Sequence, residues 1–414
     1  MIRFCILLLL AFSTSAIAQI KGNLSAGIES FTAGENRMKV NDWNGAVLDY
    51  SNAIAADPSY AEAYYKRSVA FTKLGRFKEA INDQNEALRL NPGILKIYDE
   101  RAKLRMLVED YPGAVADFTK AIELTPIVQP SLLCQQAHAQ LAAEDYAGAI
   151  STFNGIIEQN PRDTLSYVFR ALAYLNLDEL EKAGNDIDMA IRLNPKNSLA
   201  YEAQGLRYLE MKKFDDAIAS FTKVININPQ FALAWHNRGI AYKLKGENDK
   251  ADKDLTKAIS LDQNLKSTYF SRALIRKRMG ETEESLKDYN NALALDKEYT
   301  QAFFYRGMVK KTLGDYQGAI NDFDESIRIN PNDAQAFNNR GNVRMLFGDY
   351  SLAVQDYDQA IRLHEDYGIA YFNRGIAKLM LLKRDSACDD FKQSEQYGYG
   401  AAAETIRDFC TLQR

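Results

Sequence analysis

Proline recurs in this chain at an interval that few folds can use. Seven of the nine prolines are Pro58, Pro92, Pro126, Pro161, Pro195, Pro229 and Pro331, with successive gaps of 34, 34, 35, 34, 34 and 102, the last being three times 34. A 34-residue period is the length of one helix-turn-helix module, which must stack on its neighbours because a single hairpin cannot bury its apolar face. Counting back from the prolines gives eleven repeats: 27-60, 61-94, 95-128, 130-163, 164-197, 198-231, 232-265, 266-299, 300-333, 334-367 and 368-401. "NP" or "DP" ends most of them, since proline opposes helix at the residue before it. Turn segments such as "LGR", "KGEN" and "FGDY" divide each repeat into an opening and a closing helix. The periodicity makes the fold all-α and leaves 1-18, 19-26 and 402-414 outside the array.

Three places keep their character throughout. The fourth is mostly a large aromatic (Tyr64, Tyr98, Tyr167, Tyr201, Trp235, Tyr269, Phe303, Phe337, Tyr371) and the twentieth is Ala except at Ser285. The eighth is always small: Gly34, Ser68, Ala102, Ala137, Ala171, Gly205, Gly239, Ala273, Gly307, Gly341 and Gly375. A glycine inside a helix costs about 1 kcal/mol against alanine. Close approach of two helix backbones is the expected compensation, with the aromatic filling the space beside it.

The seventh place adds charge. Arg67, Arg101, Arg170, Arg238, Arg272, Arg306, Arg340 and Arg374 occupy it, and each of those repeats carries Asp at its twenty-third place: Asp83, Asp117, Asp186, Asp254, Asp288, Asp322, Asp356 and Asp390. Repeats 130-163 and 198-231 lack both, having Gln136 with Thr152 and Gln204 with Ser220, while the first repeat has Asp49 opposite Ala33. Pairing each Asp with the Arg of the following repeat would fit only six of ten junctions. Bidentate bridges between the two helices of one repeat are therefore expected, in a structural role that sets register.

The aromatic, small, Ala and Pro pattern, repeated in register, resembles the tetratricopeptide repeat family over nearly all of 27-401. The resemblance implies a right-handed α-solenoid, a superhelix whose opening helices line a concave groove and whose closing helices form the outer wall. Residues 402-414 then read as a C-terminal capping helix over the last apolar face. Repeat 130-163 departs mildly, with Leu133 in the aromatic's place after a one-residue insertion near Pro126 and Pro130. In the family, groove residues come from the second, fifth, ninth, twelfth and thirteenth places. Those places here supply Leu233, His236, Ile240 and Lys243, then Phe270, Leu274, Lys277 and Arg278, then Phe304, Met308 and Lys311. Such a strip suits a protein or peptide partner with apolar anchors and carboxylates; the alternative is that the cations are merely solvated. The family's carboxylate clamp is not supported, because Ile369 and Asn373 stand where cations would be wanted beside Asn338, Asn339 and Asn342.

Nothing in the pattern gathers reactive groups. His138, His236 and His364 lie in different repeats, and no zinc spacing, phosphate-binding loop or nucleophile elbow occurs. The chain is therefore expected to be non-catalytic, without metal or cofactor. With 51 basic and 55 acidic residues it also gives no electrostatic reason to bind nucleic acid.

The opening "MIRFCILLLLAFSTSAIA" reads as a secretory signal peptide with an A-x-A site before Gln19, and no other stretch is apolar enough to cross a membrane. Export permits disulfides. A Cys388–Cys410 bridge would close a loop of about 22 residues and contribute about 3 kcal/mol, two buried free thiols being the alternative, with Cys134 left single. The resulting expectation is an exported scaffold, periplasmic or secreted in a bacterial envelope. A carrier or chaperone for exported peptides and a regulatory subunit of an envelope enzyme are the other readings.

Overall fold

The computed structural model describes residues 24-125 and 129-410. The expected signal peptide and cleavage site, Cys5, most of the 19-26 lead-in, the insertion near Pro126 and the last four residues lie outside the described residues. The described residues contain helices and no strand.

They form two compact bodies, one up to Ala203 and one from Gln204. The first holds α1 (24-39), α2 (Trp43–Ala56), α3 (Ala61–Lys73), α4 (Phe77–Leu90), α5 (Leu95–Leu107), α6 (Tyr111–Glu123), α7 (Pro130–Ala142), α8 (Tyr146–Gln159), α9 (Thr164–Asn176) and α10 (Leu180–Leu193). Helix α11 (Ser198–Glu210) crosses the division. The second holds α12 (Phe214–Ile227), α13 (Ala232–Lys245), α14 (Asn248–Leu261), α15 (Lys266–Met279), α16 (Thr282–Leu295), α17 (Thr300–Thr312), α18 (Tyr316–Ile329), α19 (Ala334–Phe347), α20 (Tyr350–Leu363), α21 (Gly368–Met380), α22 (Arg384–Gln396) and α23 (Ala401–Cys410). Odd-numbered helices open the repeats and even-numbered ones close them. Within each body, consecutive helices pack on one another, so every hairpin borrows part of its core from the next.

The turn inside each repeat has one fixed feature. Its fifteenth residue takes positive φ in every repeat: Asn41, Gly75, Glu109, Glu144, Asp178, Lys212, Gly246, Gly280, Gly314, Gly348 and Leu382. A left-handed residue there ends the opening helix and redirects the chain into the closing one. Asp42, Asp110, Asp145 and Asp315 then cap closing helices by accepting a hydrogen bond from the backbone N–H three residues on.

The small eighth residue makes room for a side chain more than for a backbone. A Cβ at Gly375 would lie 2.5 Å from the ring of Phe391, one at Gly205 2.5 Å from Phe221 and one at Gly341 2.7 Å from Tyr357. All three rings come from the twenty-fourth place. That place is a buried apolar residue in ten repeats (Tyr50, Phe118, Phe153, Ile187, Phe221, Leu255, Tyr289, Phe323, Tyr357 and Phe391) and Gln84 in the other. Backbone approach contributes at Gly307, where the Ala319 carbonyl would be 3.3 Å from an added Cβ. The fourth-place aromatic, expected beside that contact, instead lies under the repeat's own arginine.

At the C-terminal end α23 packs on α22, burying Ala402, and a disulfide joins Cys388 of α22 to Cys410 of α23. Cys134 is a free, half-buried thiol.

Candidate functional site

Each seventh-place arginine is fixed by three helices. In Arg67, Arg101, Arg170, Arg238, Arg272, Arg306, Arg340 and Arg374, Nε and Nη2 donate to the carboxylate sixteen residues on, at 2.5–3.2 Å. Those partners are Asp83, Asp117, Asp186, Asp254, Asp288, Asp322, Asp356 and Asp390, whose side chains are only 2–9 % exposed. The third nitrogen, Nη1, donates backwards to the closing helix of the preceding repeat at 2.5–3.1 Å. Its acceptors are Ser51, Asn85, Asn154, Thr222, Thr256, Asn290, Asp324 and Asp358. Each guanidinium also lies 4.8–5.9 Å from the fourth-place ring of its own helix. With all three nitrogens bonded and one flat face against a ring, these arginines hold the stack and are poorly placed to bind a ligand.

The two exceptions use neutral groups. Ser220 donates to Gln204, Thr152 to Gln140, and Gln136 to Thr119. In the first repeat, Asp49 opposite Ala33 is paired with Arg37 at 2.7 Å. Arg37 stands in the eleventh place, and a second cation there also reaches the buried Asp from Arg105, Arg276, Lys310, Arg344 and Lys378.

The opening helices of the second body carry the groove candidates. On α13, Leu233 is exposed while His236, Ile240 and Lys243 are half-buried. His236 Nδ1 lies 2.9 Å from the Thr268 hydroxyl of α15. Burial, reinforced by the Lys243 charge, pushes this histidine down to about 4, so it is neutral at physiological pH. Phe270 and Phe304 are committed to packing: Phe270 meets the rings of Tyr289, Tyr299 and Tyr305, and Phe304 those of Tyr305 and Phe323. Leu274 and Met308 flank the same cores.

The cations differ from every arginine described above. Lys243, Lys277 and Lys311 are half-buried and Arg278 is exposed, and none of the four makes an ion pair among the described residues. Their helix neighbours do: Arg276 is held by Asp288 and Asp252, and Lys310 by Asp322. Burial lowers the pKa of Lys243, with Arg278 adding repulsion, and lowers that of Lys277, with Lys311 adding repulsion. Lys243, Leu274, Ile275 and Arg278 share a cleft of about 470 Å³ between α13 and α15. It therefore offers apolar walls and uncompensated positive charge.

A family model described as TPR repeat matches residues 205-246 and 309-346. Two described as tetratricopeptide repeat match 31-93 and 134-198, and 232-265, 267-299 and 334-367. Among curated proteins, the chain is similar to Hsp70-Hsp90 organizing protein 2 of Arabidopsis thaliana, 29% identical over 100 residues covering 24% of this chain and 18% of that protein. It is also similar to human tetratricopeptide repeat protein 13, 34% identical over 79 residues covering 19% of this chain and 9% of the other. The chain thus spans less than a fifth of the length of these relatives. Among solved structures, it is similar to the Cut9-Hcn1 hetero-tetramer of APC/C, with a TM-score of 0.48, 18% identity, and coverage of 94% of this chain and 84% of that one.

Proposed function

The chain belongs to the tetratricopeptide-repeat family, and on that premise we propose that it is a non-catalytic, exported scaffold that holds an acidic segment of a protein partner on opening helices α13, α15 and α17. The observation that carries this reading is the set of four unpaired cations, Lys243, Lys277, Arg278 and Lys311, in a chain whose repeat arginines are all neutralised. Like charges without a counterion, three of them half-buried, destabilise the body that holds them, and carboxylates from a partner would remove that penalty. Leu233, Ile240 and Leu274 would supply apolar contact beside them. Export is supported by the signal-peptide-like pattern of 1-18 and by the Cys388–Cys410 disulfide, a bond that persists in oxidising compartments.

The test is a photo-crosslinking residue at position 274, used in cells with the wild-type chain and with the Lys277→Glu/Arg278→Glu variant. One stoichiometric partner, crosslinked through an acidic segment and lost at least tenfold in the variant, is the expected result. Crosslinking that the charge reversal leaves unchanged would end the proposal. Many weakly held clients would instead favour a carrier, and a single enzyme a regulatory subunit.

A further inference from the structure

The first body contains a second site of different character, independent of the basic strip. Gln84 of α4 occupies the twenty-fourth place, which in the other repeats holds a buried apolar side chain. It is 1 % exposed, and its Oε1 accepts no hydrogen bond. A sealed amide oxygen without a donor destabilises the body that holds it. The substitution also leaves space: Gln84 lies at the base of a cleft of about 430 Å³ walled by Tyr65 and Val69 of α3 and Leu104 and Leu107 of α5. Helix α4 packs less closely on α5 than α2 does on α3 or α6 on α7, which leaves the cleft open towards α5.

The rim carries two lysines and one carboxylate: Lys73 is exposed and makes no ion pair among the described residues, while Lys96 lies over the Tyr65 ring at 5.6 Å and 3.8 Å from Glu100, a long pair that a partner's carboxylate can supplement. We propose that this cleft receives an aromatic side chain with a hydrogen-bond donor at its edge, tryptophan fitting best, presented by an acidic segment of a protein partner. The indole would take the volume that a ring fills in other repeats, its N–H would satisfy Gln84, and flanking carboxylates would meet Lys73 and Lys96.

The test uses the full chain and the peptide Ac-Glu-Glu-Trp-Glu-Glu-NH2, following methyl resonances of Val69, Leu104 and Leu107 so that binding in the second body is not counted. Saturable shifts are expected for the wild-type chain, several-fold weaker with Phe in place of Trp, and at least tenfold weaker in Gln84→Phe, which fills the cleft from inside. Gln84→Leu, close to glutamine in volume, serves if the phenylalanine variant does not fold, and its expected loss is the same. Absence of shifts in the wild-type chain, equal affinity for the Trp and Phe peptides, or unchanged binding in a folded Gln84 variant would each overturn the assignment.

Discussion

Leu382 stands where the turn needs a left-handed residue, and it pays for that conformation without visible return. Its φ is 61°, and its side chain is 93 % exposed. Five repeats place glycine at the same point (Gly75, Gly246, Gly280, Gly314 and Gly348), where the conformation carries no Cβ penalty. An L side chain in this region costs about 1–2 kcal/mol, partly offset because glycine leaves the unfolded chain freer. Leu382→Gly should therefore stabilise the last hairpin by about 0.5–1 kcal/mol, while Met380→Gly, two residues earlier at the last position of α21, should destabilise it by up to about 1 kcal/mol. Urea unfolding followed by helical circular dichroism measures both, and a destabilised Leu382→Gly would show that the leucine has a contact that this account lacks.

Among the elements, eight hairpins are closed by a buried ring and eight are tied to the preceding one by arginine Nη1, so the 34-residue period is also the period of the packing. This level is the most legible in the sequence, because a fixed interval forces equivalent residues into equivalent contacts. The pairing of Arg306 with Asp322 could be read from their shared presence and absence across repeats. Its second contact could not: the Nη1 acceptor varies among Ser, Thr, Asn and Asp, so only the presence of an oxygen is kept, not a residue type. The same blurring hid Arg37 as the partner of Asp49, since the eleventh place alternates between cations and unrelated residues such as Phe71 and Tyr174. Spacing could place Phe270 and Phe304 on opening helices, but it could not show that neighbouring rings would enclose them.

The terminal element permits a test of its own. Helix α23 has no following hairpin among the described residues, and the bond to α22 closes a loop of 22 residues. Loop closure of that size is worth about 3 kcal/mol. Cys388→Ser/Cys410→Ser, or reduction of the wild-type chain, should increase hydrogen exchange in 401-410 by about a hundredfold while leaving α13 to α18 unchanged. Unaltered protection of 401-410 would mean that packing of Ala402 and its neighbours suffices to hold the cap.

For the molecule as a whole, two half-buried groups set opposing responses to pH. Burial raises the Glu202 carboxyl of α11 from 4.5 to about 7, so its stabilising contribution is full below 4.5 and is lost as pH rises through 7. Burial and Lys243 lower His236 from 6.5 to about 4, so its contribution is full above 6.5 and is lost as pH falls through 4. Each amounts to about 2 kcal/mol after allowance for partial solvent screening. Between pH 4.5 and 6.5 the two slopes have opposite signs and should nearly cancel, giving the wild-type chain a flat profile. Removing one should expose the other: Glu202→Gln should grow more stable from pH 4.5 to 6.5, and His236→Gln less stable over the same range. Urea unfolding of the whole chain at each pH, followed by helical circular dichroism, is the measurement, because the cancellation belongs to the total stability. Parallel profiles for the two variants would show that neither group governs the response, and opposite slopes would assign one to each helix.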